Sequence, residues 1–227
     1  GTTAKLMETW NRYVEHDKFL GWGNEPGLSK RNFSHGSKVY EETANDPRAG
    51  MGGDIHFLLA SEAAHYRSKG KTSGEYVMQS VMNSVPNLPS SCVIIESTPN
   101  GTQGVFYNTW QNAVDFEDFQ TGTEGNGYIR IFAPWFEFED SRAKLSPGEE
   151  ESILNDLDSE SRYNGEIALV DRHGVTADKL KWRRQIIDSP ACGGDPRKFQ
   201  QEYPSDPISC FLQSGSGRFD QEGLDEI

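Results

Sequence analysis

Short apolar runs alternate with amphipathic stretches along the chain as far as about residue 135. Strand-like runs occupy Asp54–Ala60, Ser91–Ser97 and Tyr128–Ala133, and helical apolar spacing covers Glu75–Val85 and Val105–Phe116. The uninterrupted Cys-Val-Ile-Ile core of the second run is typical of a strand that is covered on both faces. Strands separated by helices predict an α/β fold with a mainly parallel sheet flanked by helices.

The pattern changes after Ser146, where helical segments follow one another with short breaks. The predicted helices are Pro147–Leu157, Ser159–Asp171, Thr176–Asp188 and Asp195–Tyr203. Nearer the start, a capped helix over Thr2–Val14 and a short strand over Ser37–Glu42 are predicted. We therefore expect a partial α/β domain over residues 1–145, a mostly helical subdomain over 146–213, and the first residues of another domain over 214–227.

The composition is that of a folded protein without a membrane span. Of the 227 residues, 34% are hydrophobic and 11% are aromatic, and the longest apolar runs are far shorter than the ~20 residues that a membrane helix requires. Three cysteines without a CxxC pair favour a reducing cytosol and argue against a zinc ribbon. The formal net charge is −13. Residues 115–171 hold 15 acids and 4 bases, so a polyanion would avoid this stretch and contact the segments on either side of it.

The first candidate site follows the strand that ends at Ala60, where the next residues are Ser61 and Glu62. Open α/β sheets bind ligands at the carboxyl ends of their strands. In phosphate-hydrolysing proteins, a polar residue there helps to hold Mg²⁺ and the following carboxylate orients the attacking water. The same two residues also suit a helix start, with Ser61 as the N-cap and Glu62 in the first turn, so both interpretations remain open.

The second candidate site follows the next apolar strand, which ends in Glu96-Ser97-Thr98-Pro99-Asn100-Gly101. If the two strands are neighbours, Thr98 and Asn100 lie close to Glu62 and could sense a γ-phosphate. Pro99 and Asn100-Gly101 are also ordinary turn formers, so the segment has a purely structural interpretation as well. His65 lies one turn after Glu62 and could orient that carboxylate, or it could be a histidine on a helix surface.

An ordered set of motifs links these two sites to a known family. The set consists of Gly36-Ser37-Lys38-Val39-Tyr40, Glu42-Thr43-Ala44-Asn45, Leu58-Leu59-Ala60-Ser61-Glu62-Ala63-Ala64, Ile94-Ile95-Glu96-Ser97-Thr98-Pro99-Asn100-Gly101, Gly104-Val105-Phe106-Tyr107 with Trp110, Phe132-Ala133-Pro134-Trp135-Phe136, Trp182-Arg183-Arg184, Phe199-Gln200-Gln201-Glu202-Tyr203-Pro204, and Ser214-Gly215 through Phe219-Asp220. Each motif alone is weak. Together they resemble the ATPase domain of the large terminase subunits of tailed phages, the motors that package viral DNA.

The resemblance implies a partial P-loop NTPase-like fold of the ASCE or RecA-like type, followed by a helical lid and linker, with ATP and Mg²⁺ as cofactors. Glu62 would be the Walker B carboxylate that activates water, and Thr98 would belong to the coupling motif that links hydrolysis to DNA movement. Ser61, Ser97 and Asn100 would add contacts to the nucleotide, with Ser61 and Glu62 beside the metal. Phe219-Asp220 would open a nuclease domain that is otherwise missing.

Three departures from the family pattern stand out. No phosphate-cradling Gly-x-x-x-x-Gly-Lys-Ser/Thr loop occurs in the chain, so that loop would lie upstream of Gly1 or be absent. Ser61 stands where many relatives have a Mg²⁺-associated Asp. Met51-Gly52 replaces an Arg-Gly pair, and Arg48, on the same glycine-rich loop, could reach the phosphates of a neighbouring subunit or could simply be a solvated loop residue.

The function implied by the resemblance is part of a viral DNA-packaging motor that couples ATP hydrolysis to translocation of double-stranded DNA into a procapsid. Its partners would be that DNA, the portal protein, the small terminase subunit and further copies of the chain in a homo-oligomeric ring. Its location would be the cytoplasm of the infected bacterial host, at the portal vertex. We expect the chain alone to be inactive as an ATPase. The alternative is a non-catalytic α/β interaction module that has lost its nucleotide chemistry.

The densest basic cluster lies in the third helix predicted after Ser146, around Trp182. Lys181, Arg183 and Arg184 could contact DNA or steady the lid, and an amphipathic helix with a buried Trp182 explains the same pattern without a ligand.

Overall fold

The structure is a computed structural model that describes residues 22–23, 30–33, 36–46, 48–67, 69–70 and 73–214. The helix predicted over Thr2–Val14 and the nuclease-domain start expected beyond residue 214 lie outside the described residues. The strands of the described part are β1 (Trp22–Gly23), β2 (Lys30–Phe33), β3 (Lys38–Tyr40), β4 (Phe57–Ala60) and β5 (Cys92–Ile95).

Eight α-helices occur in the part of the chain that the structure describes. They are α1 (Gly74–Met82), α2 (Gly104–Asn112), α3 (Phe116–Gln120), α4 (Glu149–Leu154), α5 (Glu166–His173), α6 (Ala177–Asp188), α7 (Pro196–Glu202) and α8 (Ser209–Ser214). Short 3₁₀ turns occupy Ala63–His65, Trp135–Glu137 and Ser161–Tyr163. The longest of these helices has 12 residues, and no helix within the described ranges combines the length and apolar character needed to cross a membrane.

The strands form one antiparallel and one parallel sheet, so the mixed α/β class is confirmed, whereas the described strands are not mainly parallel. β1, β2 and β3 pair in sequence order and antiparallel, with Arg31 opposite Val39. The chain between these strands is too short for the crossover that parallel pairing requires. β4 pairs with β5 in parallel, since Cys92 N–H donates to His56 O and Glu96 N–H donates to Ala60 O.

Two sequence predictions about strands are wrong in detail. β5 is not covered on both faces, because Cys92 and Ile94 are exposed while Val93 and Ile95 are only half-buried. The run Tyr128–Ala133 is no strand but a single parallel bridge between Val114 and Ile129. Its Ile131 side chain is 82% exposed, so apolar character there does not reflect burial.

The described residues divide into two compact units. The first consists of residues up to Leu59 together with Tyr66–Ile94, and the second of Ala60–His65 together with the residues from Ile95 onward. The first unit has a small core of Ala49, Val77 and Val81. Gly50 has φ +76° and a Cβ there would lie 3.0 Å from Val81 Cα, so the close approach of this loop to α1 requires glycine.

The larger core lies in the second unit, among the helices after Pro134, and we call this part the helical subdomain (residues 135–214). Trp135 stacks on Trp182 with ring centroids 5.5 Å apart, and Phe199 meets Trp135 edge-on at 5.6 Å. Leu180 and Ile187 of α6 are fully buried beside them. α6 confirms the helix predicted over Thr176–Asp188 and supplies the apolar face of this core.

We expect the three thiols to differ in reactivity because the fold treats them differently. Cys92 is exposed, whereas burial raises the pKa of Cys192 and raises that of Cys210 to about 11. A thiol attacks as its thiolate, so an aromatic disulfide reagent at pH 8 should modify one thiol quickly and the other two at least about tenfold more slowly.

The same reagent should modify all three thiols in guanidinium chloride, and Cys92→Ser should remove the fast phase in the native protein. Equal rates for three thiols under native conditions would contradict the burial of Cys192 and Cys210.

Candidate functional site

The two predicted polar junctions meet in the second compact unit. Because β4 and β5 are parallel, the residues that follow them leave the sheet at the same edge. The main chain ties the two exits together, since Ala63 N–H donates to Glu96 O over 3.1 Å. Ser97 Oγ accepts from Ala64 N–H at 3.1 Å and donates to Glu62 Oε2 at 3.4 Å. The structure therefore brings Glu62 and Ser97 together.

Glu62 has an unusual backbone conformation with φ +56°. Among the described residues, only Glu62 and Asp158 have positive φ without being glycine. Non-glycine residues in this region carry a cost on the order of 1 kcal/mol and concentrate at functional sites. The Glu62 side chain is 47% exposed, so its carboxylate is accessible to solvent. Glu62 does not lie in the first turn of a regular α-helix, which was the structural interpretation of the Ser61-Glu62 pair.

Thr98 and Asn100 both contact the imidazole of His65, and this ring also faces Glu62. Nε2 of His65 is 3.1 Å from Thr98 Oγ and 3.8 Å from Glu62 Oε2. Nδ1 of His65 is 3.3 Å from Asn100 Nδ2, which also donates to Ala64 O over 3.2 Å. The sequence had left His65 open between a residue that orients a carboxylate and a surface histidine, and these contacts place it inside the group.

The oxygen donors of this group suit a hard cation that is bound together with a phosphate. Ser61, which precedes Glu62 in the chain, is half-buried and carries a hydroxyl. No group of three or more His, Cys, Asp or Glu residues able to hold a metal occurs in the described part of the chain. Mg²⁺ typically takes one or two protein oxygens and fills its remaining positions with water and phosphate. Ser61 and Glu62 are therefore the residues that could hold Mg²⁺ together with a nucleotide.

Arg48 belongs to the first compact unit, whereas Glu62 and Thr98 belong to the second. Its side chain is 80% exposed, and its Nε lies 3.3 Å from Asp46 Oδ1. The backbone and side-chain hydrogen bonds from Arg48 lower the pKa of Asp46. Arg48 is thus a solvated loop residue with a local acidic partner, and a role toward the phosphates of another subunit stays a prediction.

The basic cluster of α6 is engaged within the helical subdomain. Arg183 is 3% exposed, and its guanidinium contacts Glu166 at 3.4 Å. Arg184 contacts Glu166 Oε2 at 2.5 Å. Lys181 donates to Lys144 O and to Glu149 at 2.9 and 2.7 Å. These three side chains therefore contact groups of the helical subdomain itself, and a contact with DNA stays a prediction.

The sequence pattern pointed to Arg183 and Arg184 but not to Glu166, the buried carboxylate that both of them contact. Glu166 is fully buried and begins α5, where the carboxylate of Asp158 accepts from the Glu166 and Ile167 N–H groups. A glutamate in the first turn of a predicted helix is ordinary, so no local signal marks it as buried. His65 was considered and left undecided, since its one-turn spacing from Glu62 was the sole signal.

No protein-family model, curated protein or solved structure matches this chain.

Proposed function

We propose that this chain is the Walker B and lid part of an ATPase that translocates double-stranded DNA, with a P-loop NTPase-like arrangement around β4 and β5. The observation that carries the proposal is the meeting of Glu62, Ser97 and Thr98 at the carboxyl ends of two parallel strands. The ordered motifs that resemble large terminase subunits support the same proposal. Double-stranded viral DNA, the portal protein, the small terminase subunit and a ring of identical subunits at the portal vertex are the partners proposed with it.

Glu62 is the residue that acts on water in this proposal. Its Oε2 accepts a hydrogen bond from Ser97, while Oε1 has no partner among the described residues. A carboxylate held on one oxygen can accept a hydrogen bond from water on the other and so orient that water for in-line attack. Bound Mg²⁺ would supply neutralisation of the negative charge on the phosphate oxygens.

Thr98 and Asn100 are proposed to report whether a γ-phosphate is present. They lie three and five residues after the end of β5 at Ile95, and α2 begins shortly afterwards at Gly104. A change at the Thr98–Asn100 turn therefore reaches this helix through only a few residues of chain. The resemblance gives this turn the role of a coupling motif, and its contacts with His65, which also faces Glu62, support that part of the proposal.

The test uses the complete natural protein that contains these 227 residues. ATP turnover is measured with and without double-stranded DNA, and compared with that of the 227-residue chain alone. The proposal expects Mg²⁺-dependent turnover in the complete protein, raised by DNA. If the complete protein binds partners but neither binds nor hydrolyses ATP, the non-catalytic interaction module is the correct interpretation.

A further inference from the structure

The imidazole of His65 connects the two strand ends that the proposed function uses. Its Nε2 faces both Thr98 and Glu62, and its Nδ1 faces Asn100, at the distances given above. The side chain is 38% exposed, so it is partly enclosed without being part of a core. The contacts with Thr98 and Asn100 are within hydrogen-bond distance, and the approach to Glu62 is longer, at 3.8 Å.

The neighbouring atoms decide which ring nitrogen carries the hydrogen. Ala64 O can only accept, so the Asn100 atom facing it at 3.2 Å must be the amide nitrogen. The same amide nitrogen lies 3.3 Å from Nδ1 of His65 and can only donate, so Nδ1 accepts in this contact. The ring hydrogen then belongs to Nε2, which donates to Thr98 Oγ and faces Glu62 Oε2.

The backbone around His65 is fixed from the same two strand ends. His65 N–H donates to Glu62 O over 2.9 Å, which closes the 3₁₀ turn. The two preceding residues donate their N–H groups to Glu96 O and Ser97 Oγ, each over 3.1 Å. The imidazole is consequently held on a short, tied segment, and a shift of the Thr98–Asn100 turn must alter its contacts.

We propose that His65 is a positioning residue that sets the orientation of the Glu62 carboxylate according to the position of the Thr98–Asn100 turn. This inference deepens the proposed function and rests on it. In this role His65 acts through Glu62 and not directly on the attacking water or the nucleotide. Without the imidazole, Thr98 and Asn100 lose their hydrogen bonds to His65, and Glu62 loses the ring that lies 3.8 Å from its Oε2. A carboxylate that is displaced by about 1 Å can lose up to about 100-fold in rate.

The contact network is tested first by NMR on protein labelled with ¹⁵N-histidine. We expect a slowly exchanging ring N–H on Nε2 of His65, which Thr98→Val converts into a rapidly exchanging one. His56, an exposed histidine in the first unit, serves as the internal reference for rapid exchange. A His65 hydrogen on Nδ1, or exchange as fast as that of His56, would overturn the inference.

The positioning role is tested by two substitutions in the complete natural protein. His65→Phe keeps a ring without hydrogen bonds, whereas His65→Gln keeps one donor and one acceptor. We expect His65→Phe to lower kcat for ATP about tenfold with KM changed less than about twofold, and His65→Gln to recover most of that loss. His56→Phe is the matched control and should leave both constants unchanged.

Parent-like kcat in His65→Phe, or equal losses in the two variants, would overturn the positioning role. A parent protein without turnover would overturn the proposed function and, with it, any part of His65 in turnover. Full parental turnover without the His65 ring N–H signal would overturn this inference alone.

Discussion

Glu62→Gln is expected to lower the kcat for ATP of the complete natural protein by at least about 100-fold. The amide has nearly the same size as the carboxylate and can still accept from Ser97, so the 3₁₀ turn and its contacts should survive. The amide cannot take up a proton from water, however, and it has no negative charge with which to orient the nucleophile. Steady-state turnover and the affinity for ATP, measured side by side, separate the two effects, because affinity should change less than about threefold.

Glu96→Gln is the matched control for this substitution. Glu96 also follows a strand of the parallel pair and its side chain is exposed, but its main chain alone makes the contacts that join the two strand ends. We expect turnover within about twofold of the parent, as is usual for an exposed side chain away from the reacting atoms. Glu62→Gln with parental turnover would remove Glu62 from the water-activating role and, with it, the main support for the ATPase proposal.

Glu166→Gln is expected to lower the free energy of unfolding by about 3 kcal/mol or more. Glu166 is fully buried, and its carboxylate receives the guanidinium groups of Arg183 and Arg184. Burial lowers the pKa of Arg183, whereas the hydrogen bond to Glu166 raises that of Arg184. With the negative charge removed, Arg183 remains buried without its ion-pair partner, and Arg184 beside it keeps only the carboxylate of Asp156 at 3.6 Å.

Urea unfolding followed by tryptophan fluorescence measures this loss, because Trp135 and Trp182 belong to the same core. Glu150→Gln, in the exposed first turn of α4, is the control and should change the free energy of unfolding by less than about 0.5 kcal/mol. A loss below about 1 kcal/mol for Glu166→Gln would mean that the two arginines find water or other partners, and that the buried network does not hold the subdomain together.

Elements whose signals lie within a few residues could be predicted from the sequence. α1 was predicted because its apolar residues recur with helical spacing, and it begins after Ser73, whose side chain accepts from Tyr76 N–H. α6 was predicted because its apolar residues also recur with helical spacing. The polar residues that follow the two apolar strands could also be identified from the sequence. Predicting that they lie close together required one further assumption, that the strands are neighbours and parallel.

Elements that depend on distant partners could not be predicted in the same way. The helix predicted over Val105–Phe116 ends at Asn112, because Ala113 is extended and Val114 pairs with Ile129, and α3 begins only at Phe116. The segment Ser159–Asp171 is divided because Gly165 adopts φ +92°, which lets a 3₁₀ turn precede α5. Neither interruption is visible in hydrophobic spacing, which reports amphipathic character and not where a hydrogen-bond ladder breaks.

The sequence by itself determined which residues can carry chemistry here, since a carboxylate, hydroxyls and an amide directly after apolar strands are local facts. The tertiary structure alone decided which of them act together. It made His65 a neighbour of Glu62 and Thr98, and it engaged Arg183 and Arg184 with Glu166. The physical reason is that charge pairing and hydrogen bonding depend on separations of a few ångströms, and residues about 35 positions apart along the chain reach those separations only after folding.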